Sequence, residues 1–470
     1  MLDATASPRI TAPQVRQWAW PLAVLGAAWV IFLPALWNRF PFMFYDSGAF
    51  IDLAMRGGFV AERSAIYGAF LSVFQPGFSL WPAMVAQVGL VVLVMVEFAR
   101  VVLPGLAPRQ FFLLVVALSI VTGLPWTAPQ VMPDVFAPVL VLSLYLLGFR
   151  AASLSPQRKA ALVAISVLAA TSHASHLGLA AGLAVVTGLA QIVSRRGALA
   201  TVRPRWGLPA LVFVLSLGLV VASNVERTGD VFVSRAGPGF IVARLLQDGI
   251  AQRVLDDTCP GSGYRLCAYR HELPRDSNDF LWLWNSPFWT LGGFEGIGDE
   301  AQSIMLESLK RYPLLNLKAA AEHTLRQFVT FATGDGVEPL NGVPEAAILR
   351  HMPDQIDDYK DARQQSGEIE FRWLNAVQVP VGGVSIVALA GIMLLAARRR
   401  QWDDRMFLPA FILLALAGNA FICGTLSSPH DRYQSRLIWA AVFTVILLIG
   451  RRSSRRGHGK SSLDFGAAAK

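Results

Sequence analysis

Charged residues are scarce in this chain of 470 residues, because Asp, Glu, Lys and Arg together make up only 16% of it. Ordinary soluble domains carry about a quarter of their residues as charges. Hydrophobic residues reach 54%, and the mean hydropathy is +0.46. This composition excludes a typical soluble enzyme and indicates an all-α membrane protein that crosses the bilayer several times.

Two further signals are missing. No stretch combines basic residues with interleaved aromatics, so the net charge of +9 is interpreted as membrane topology, and no nucleic acid partner is expected. The first apolar run ends in LWNRFPF without a small-residue cleavage site. We therefore expect this run to be a retained helix rather than a signal peptide, with a mature chain that starts at Met1.

Cysteine is rare, with three residues in the chain. Cys259 and Cys267 lie eight positions apart in DDTCPGSGYRLC, inside a long segment that the topology below places outside the membrane. Disulfides persist in such compartments, so we expect these two to pair, the alternative being two free thiols. Cys423 lies in an apolar run and is interpreted as a small buried residue.

Ten segments are apolar and long enough to suggest membrane-crossing helices, which need about 20 mostly apolar residues. They lie near residues 18–37, 80–99, 110–127, 133–149, 159–176, 177–194, 207–223, 377–397, 406–425 and 435–450. The fifth and sixth are separated only by TSHASHLG.

Arginine and lysine are unevenly divided between the loops. One set of loops contains runs such as Arg398 to Arg400 and a basic tail at 451–470, whereas the short loops of the other set contain only Arg39, Arg56, Arg63 and Arg432. Positive charge marks the cytoplasmic side. Both termini are therefore predicted inside, as expected for a multi-pass protein of a bacterial inner membrane.

This topology predicts four regions. A seven-span module covers 1–223 and includes an outer loop, 38–79, with interfacial helices; a periplasmic or extracellular domain covers 224–376; a three-span module covers 377–450; and the basic tail follows at 451–470. The fold of 224–376 is not predicted.

Two acidic residues are predicted at the outer face. Asp46 follows the first span in YDSGAF and is interpreted either as a helix N-cap or as a general base that accepts a proton from an attacking hydroxyl. Asp134, in MPDVF, either complements the dipole of a starting helix or acts as a second carboxylate that orients an acceptor or holds a divalent cation. No metal is assigned.

Two histidines three positions apart, His173 and His176, fall on the same predicted face. Their spacing is compatible with metal ligation, but no third ligand is nearby in the sequence. Contact with a substrate phosphate or hydroxyl, and plain interfacial histidines, are the alternatives.

The stretch SSPHDRYQSRL, residues 427–437, lies between the last two apolar runs. Arg432 and Arg436 are four positions apart, so a helix would project both guanidinium groups along one side, as a phosphate site requires. His430 and Tyr433 add hydrogen-bonding groups. The alternative is that the arginines extend to lipid headgroups.

Taken together, YDSGAF, MPDVF and HDRYQSRL resemble the motifs of the GT-C superfamily, the membrane glycosyltransferases that use polyprenyl-phosphate sugars or related lipid donors. The resemblance rests on architecture and these short motifs. It implies a catalytic acid at Asp46, a second acid at Asp134, and donor-phosphate contacts at Arg432, Tyr433 or Arg436. Here the bulky outer segment lies between spans seven and eight, whereas many relatives carry theirs at the C-terminus.

The resemblance implies transfer of a sugar from a polyprenyl-phosphate donor to a glycan, lipid or protein acceptor. Two other functions fit the same residues: a transporter or flippase for a lipid-linked or anionic solute, and a noncatalytic scaffold of the cell envelope. Transporters usually hold polar groups near the bilayer midplane and often contain internal repeats, whereas here the polar groups cluster at one interface and no clear repeat is found.

Overall fold

The computed structural model describes residues 12–74, 79–196 and 202–461, and these residues form helices and no strand. The helices are α1 Ala12–Asn38, α2 Ser47–Arg56, α3 Ala65–Phe74, α4 Trp81–Val102, α5 Pro108–Val121, α6 Leu124–Thr127, α7 Phe136–Phe149, α8 Pro156–Thr171, α9 Ala174–Arg196, α10 Gly207–Thr228, α11 Gly237–Gln247, α12 Ile250–Thr258, α13 Ser277–Trp282, α14 Pro287–Thr290, α15 Gly293–Arg311, α16 Pro313–Val329, α17 Val343–His351, α18 Ile356–Lys360, α19 Arg363–Ser366, α20 Arg372–Arg398, α21 Asp404–Leu426 and α22 Asp431–Ser461. Short 3-10 turns cover Pro133–Val135, Ala151–Ser153, Arg265–Tyr269 and Pro353–Gln355. The end of the predicted basic tail, 462–470, lies outside the described residues.

Seven of these helices are long and apolar enough to cross a membrane: α1, α4, α9, α10, α20, α21 and α22. They match seven of the ten predicted spans. Many of their side chains are exposed and apolar, as lipid-facing residues are. These features indicate an α-helical protein with several membrane crossings.

The other three predicted spans correspond to shorter helices. Helix α5 has 14 residues and α8 has 16, which at 1.5 Å per residue gives about 21 and 24 Å against a hydrocarbon core of about 30 Å. The third, Pro133–Phe149, contains α7, and every residue of α7 is buried in the protein. Its hydrophobicity therefore reflects packing in the protein core. The sequence also predicted a break in TSHASHLG, and α8 ends at Thr171 while α9 begins at Ala174.

Helix α7 lies at the centre of the bundle, where α4, α8, α9, α10 and α22 pack around it. At its C-terminal end, the fully buried carboxylate of Asp404 accepts a hydrogen bond from Tyr145 at 2.8 Å and pairs with Arg150 and Arg451. A buried charge is tolerated only when it is paired in this way. The cluster joins the ends of α7, α21 and α22.

The described residues of the segment 38–79 form α2 and α3, so helices are present where the sequence predicted them. Helix α2 packs against α17, where a Cβ on Gly48 would lie 2.5 Å from the Val343 carbonyl oxygen. On the same helix, Asp52 accepts hydrogen bonds from Arg350 at 2.9 Å and pairs with His351 at 2.6 Å. The loop is therefore held against the later part of the 224–376 segment.

The 224–376 segment, called the insert below, is helical. Helices α11, α12 and α15 share an apolar core with residues such as Leu245, Phe288 and Ile297, and a disulfide joins Cys259 to Cys267 as the sequence predicted. Both ends of the insert are shorter than the predicted boundaries at 224 and 376, because α10 extends to Thr228 and α20 already begins at Arg372.

An ion-paired cluster lies where the insert meets α21. Asp248 pairs with Arg244 at 2.6 Å and with His323 at 2.7 Å, and all three side chains are largely buried. Burial by itself raises the pKa of Asp248, but the hydrogen bonds from His323 and Arg244 outweigh it, so this pKa lies below its ordinary value of 3.8.

Candidate functional site

Asp46 lies between two arginines at one end of the bundle. Its Oδ1 is 2.5 Å from Nη2 of Arg63, and its Oδ2 is 3.9 Å from Nη2 of Arg432. Asp46 directly precedes α2, yet its side chain makes no capping hydrogen bond. The carboxylate is therefore free of the N-cap role that the sequence allowed, and its charge is directed at the two guanidinium groups.

Backbone contacts hold the segment that carries Asp46. The Val131 N–H donates to the Phe42 carbonyl at 2.8 Å, and Gln364 both accepts from the N–H of Met43 and donates to its carbonyl. The Ser47 hydroxyl donates to the Val131 carbonyl at 2.8 Å. Three regions far apart in the sequence therefore fix the position of this acid.

Arg432 is stacked between aromatic rings. Its Cζ lies 4.1 Å from the ring centroid of Phe44 and 4.9 Å from that of Tyr433, and the side chain is 17% exposed. Stacking leaves the edge of a guanidinium group available to donate hydrogen bonds in its plane. Arg432 therefore presents a fixed, partly accessible cation beside Asp46.

Asp335 also contacts this region, although the sequence analysis did not select it. Its Oδ2 accepts a hydrogen bond from the backbone N–H of Arg432 at 3.0 Å. Gly334 and Gly336, on either side of it, have φ of 107° and 75°, which favour glycine. A Cβ on Gly334 would lie 2.2 Å from the ring of Phe371, and one on Gly336 would lie 2.0 Å from the ring of Phe44. The Gly-Asp-Gly triplet in ATGDGVEP is the sequence signal that would have identified this acid.

Arg63 was also missed as a site residue, because it was counted only as an outer-loop charge. Besides pairing with Asp46, its Cζ lies 5.9 Å from the ring of Trp282 in the insert, and its Nε is buried without a hydrogen-bond partner. The insert therefore contributes an aromatic wall to the site.

Asp134 and Arg436 form a buried pair below Arg432. Arg436 Nη1 donates to Asp134 Oδ1 at 2.9 Å, and neither side chain is more than 4% exposed. Arg436 Nη2 also donates to Ser175 and Asn419, both at 3.1 Å. The prediction that Arg436 contacts a donor phosphate does not fit this arrangement, because the side chain is fully buried and its terminal nitrogens are engaged.

Asp134 keeps one oxygen without a partner. Its Oδ2 is buried and accepts no hydrogen bond from the protein, which is costly for a carboxylate. The dipole role at the start of a helix does not explain this position, since the side chain pairs with Arg436 across the bundle. The ring of Tyr433 lies near both guanidinium groups, 4.9 Å from Arg432 and 5.5 Å from Arg436, and so links the buried pair to the Asp46 group.

His173 and His176 lie next to the buried pair, with ring centroids 5.2 Å apart. His173 Nδ1 is 2.7 Å from the Ser175 hydroxyl, which accepts from Arg436. His176 Nδ1 is 2.9 Å from the Ala169 carbonyl, while its buried Nε2 has no partner. Among residues 12–74, 79–196 and 202–461, no group of three or more His, Cys, Asp or Glu is arranged to hold a metal ion.

His430 and Asp431 connect the site to the insert. The backbone N–H and carbonyl of His430 bond the Gln327 side chain at 2.9 and 2.8 Å, and Asp431 Oδ1 accepts from the Ala332 N–H at 2.5 Å. Burial lowers the pKa of His430, which keeps the imidazole neutral. The His430 ring packs edge-on against Tyr433 at 5.7 Å.

The structure thus gathers the eight predicted catalytic and substrate-binding residues, from four separate segments, around Arg432 and Arg436. A groove on the protein surface lies nearby, between the end of α1 and residues 367–374, and includes Trp37 and Trp126 in its wall. The Trp126 ring lies 4.9 Å from that of Phe371, which packs on Gly334 beside Asp335. The rings of Trp126 and Phe371 therefore lie between this groove and the loop that carries Asp335.

Comparisons of this chain with protein families, with curated proteins and with solved structures found no match.

Proposed function

We propose that this chain is an integral-membrane glycosyltransferase of the GT-C type that moves a sugar from a lipid-phosphate donor to an acceptor on the extracytoplasmic face. The observation that supports this most directly is the Asp46 carboxylate between the guanidinium groups of Arg63 and Arg432. A base and a cationic clamp within a few ångströms of each other are the parts that such a transfer needs.

In the proposed reaction, an acceptor hydroxyl oxygen attacks the anomeric carbon of the sugar while its proton passes to Asp46. The bond between the anomeric carbon and the donor phosphate oxygen breaks, and the polyprenyl phosphate leaves with the electron pair. Arg432 and Arg63 stabilise the negative charge on the departing phosphate. Attack opposite the leaving group inverts the anomeric carbon.

The remaining residues have supporting roles in this proposal. Arg436 holds Asp134 in a buried pair next to the site, and Tyr433 and His430 shape the phosphate pocket. His173 and His176 line the buried side.

The topology belongs to the same proposal. The three short helical segments complete ten crossings, both termini lie in the cytoplasm of a bacterial cell, and the insert lies in the periplasm or outside the cell. This orientation places Asp46, Arg63 and Arg432 at the outer leaflet, where the polyprenyl-linked sugar of the donor is presented.

The test uses purified protein in lipid nanodiscs with a panel of radiolabelled polyprenyl-phosphate sugars and a membrane extract as the source of acceptor. Label should pass from the organic-soluble donor to an acceptor with wild-type protein and not with Asp46→Asn. Asp52→Asn is the matched control, since Asp52 lies on α2, six residues after Asp46, and pairs with Arg350 and His351 instead. Donor binding without transfer by the wild type would instead support the transporter or flippase.

A further inference from the structure

Helix α16, Pro313–Val329, has one face that no part of the described chain covers. Leu314, Leu317, Leu325 and Val329 on this face are between 65% and 78% exposed. Their spacing of three, eight and four residues places them along one side of a helix. Lys318 projects between Leu325 and Val329, and Glu322 and Arg326 form a charged flank at the edge of this face.

The opposite face of α16 packs on the membrane-spanning helix α21. A Cβ on Gly424 would lie 2.7 Å from the His323 carbonyl oxygen, so the two helices are in close backbone contact. The Thr425 hydroxyl donates to the Ala320 carbonyl at 3.2 Å and lies 3.1 Å from the Thr324 hydroxyl. Glycine and small polar side chains at such a contact are typical of helices that associate within membranes.

The chain that leaves α16 continues down among the spans. Gln327 bonds the backbone of His430 at the start of α22, and the ring of Phe331 packs 2.9 Å from the Cβ position of Gly382 in α20, near Ile438 of α22. Gly382 is ten residues into α20 and Ile438 is seven residues into α22, which corresponds to about 15 and 10 Å along those helices. The C-terminal half of α16 therefore lies at the level of the outer ends of the spans.

From this position we infer that α16 anchors the insert in the outer leaflet, with its apolar face in contact with lipid acyl chains. The occupant is lipid because α16 packs along α21, a membrane-spanning helix whose own apolar side chains Phe421 and Leu426 are exposed. An apolar stripe flanked by charges is the pattern of helices that lie about 5 to 10 Å into the headgroup boundary. The anchor does not depend on the proposed glycosyl transfer.

The anchor would also fix the height of the catalytic site. The Gln327 side chain on α16 bonds the backbone of His430, two residues before Arg432. Asp335, in the loop that follows α16, accepts a hydrogen bond from the Arg432 N–H. Insertion of α16 at the headgroup boundary therefore sets the depth at which the Arg432 guanidinium meets a lipid phosphate.

The experiment attaches a nitroxide spin label to single cysteines in the full chain, reconstituted into phosphatidylethanolamine and phosphatidylglycerol vesicles. Leu325→Cys is compared with Glu322→Cys on the charged flank. Wild-type protein is the control for background labelling, because it contains the buried free Cys423. The label at position 325 should collide more often with oxygen, which concentrates in lipid, and less often with a water-soluble nickel complex. The label at position 322 should show the reverse preference.

Val329→Cys provides a second position with the same expected oxygen preference in case Leu325→Cys does not fold. Preferential collision with nickel at 325 and 329 would place this face in water and overturn the inference. Protection from both reagents would also overturn it, because a protein partner would then cover the face.

Discussion

Replacing Asp46 with Asn should separate phosphate binding from sugar transfer. Asp46 neutralises Arg63 and lies 3.9 Å from Arg432, so a phosphate that uses these arginines must compete with the carboxylate. An amide of nearly the same shape keeps a hydrogen bond to Arg63 but removes the charge. Polyprenyl phosphate without a sugar should therefore bind the variant more tightly, while transfer is lost because no base remains.

The size of the effect follows from electrostatics. A phosphate held by both arginines would lie about 6 Å from the carboxylate, where two negative charges repel by about 3 kcal/mol at an effective dielectric constant near 20. The Asp46 and Arg63 side chains are 13% and 12% exposed, so solvent screens part of this repulsion. If about half remains, roughly 1.4 kcal/mol, the dissociation constant falls about tenfold.

The assay measures equilibrium binding of radiolabelled polyprenyl phosphate to protein in nanodiscs, with Asp52→Asn as the control that removes a nearby acid on α2. Affinity of Asp46→Asn equal to or weaker than that of the control would refute the competition between carboxylate and phosphate. Transfer at the wild-type rate by Asp46→Asn would refute its role as the base.

Three further predictions test other parts of the structure. Arg432→Lys should weaken polyprenyl phosphate binding about tenfold, because an ammonium group cannot reproduce the stacked, planar donor edge, and the binding assay above measures the loss. Asp134→Ala should lower the free energy of unfolding by about 3 to 5 kcal/mol in denaturant titration, because Arg436 would remain as a buried unpaired charge. The double variant Asp134→Ala with Arg436→Met should recover much of that loss. The pKa of Asp248 lies below 3.8 in the folded protein, so its contribution to stability is present above about pH 4 and is lost as the pH falls through the folded pKa. In thermal unfolding, the melting temperature of Asp248→Asn should therefore fall less over that pH range than that of the wild type. An equal loss in wild type and variant would contradict the Asp248 argument.

Hydropathy predicted the helices well where apolar length alone decides the outcome. It could not distinguish Pro133–Phe149, a helix buried on all sides by protein, from a helix surrounded by lipid, since both environments select the same residues. The break between α8 and α9 was visible in TSHASHLG because polar residues interrupt the apolar run there. Several helices of the insert, in contrast, are only four to nine residues long, which gives too few turns for a sequence pattern to identify them.

The candidate site was predicted in part. The sequence identified Asp46 and Arg432 because ionisable residues at membrane boundaries are rare. The spacing of Arg432 and Arg436 predicted a shared side of α22 but could not predict that Arg436 is buried, since burial depends on α7 and α21. Asp335 was missed because its contact with the Arg432 N–H joins segments 97 residues apart, and Arg63 was missed because it was counted only as a topology charge.

The central claim is that Arg63 and Arg432 hold a lipid phosphate beside Asp46. Cryo-electron microscopy of the protein in nanodiscs with polyprenyl phosphate tests it directly. The account predicts phosphate density within hydrogen-bond distance of both guanidinium groups. Phosphate density at another place, such as the arginines that surround Asp404, with the Asp46 pair unchanged, would contradict it.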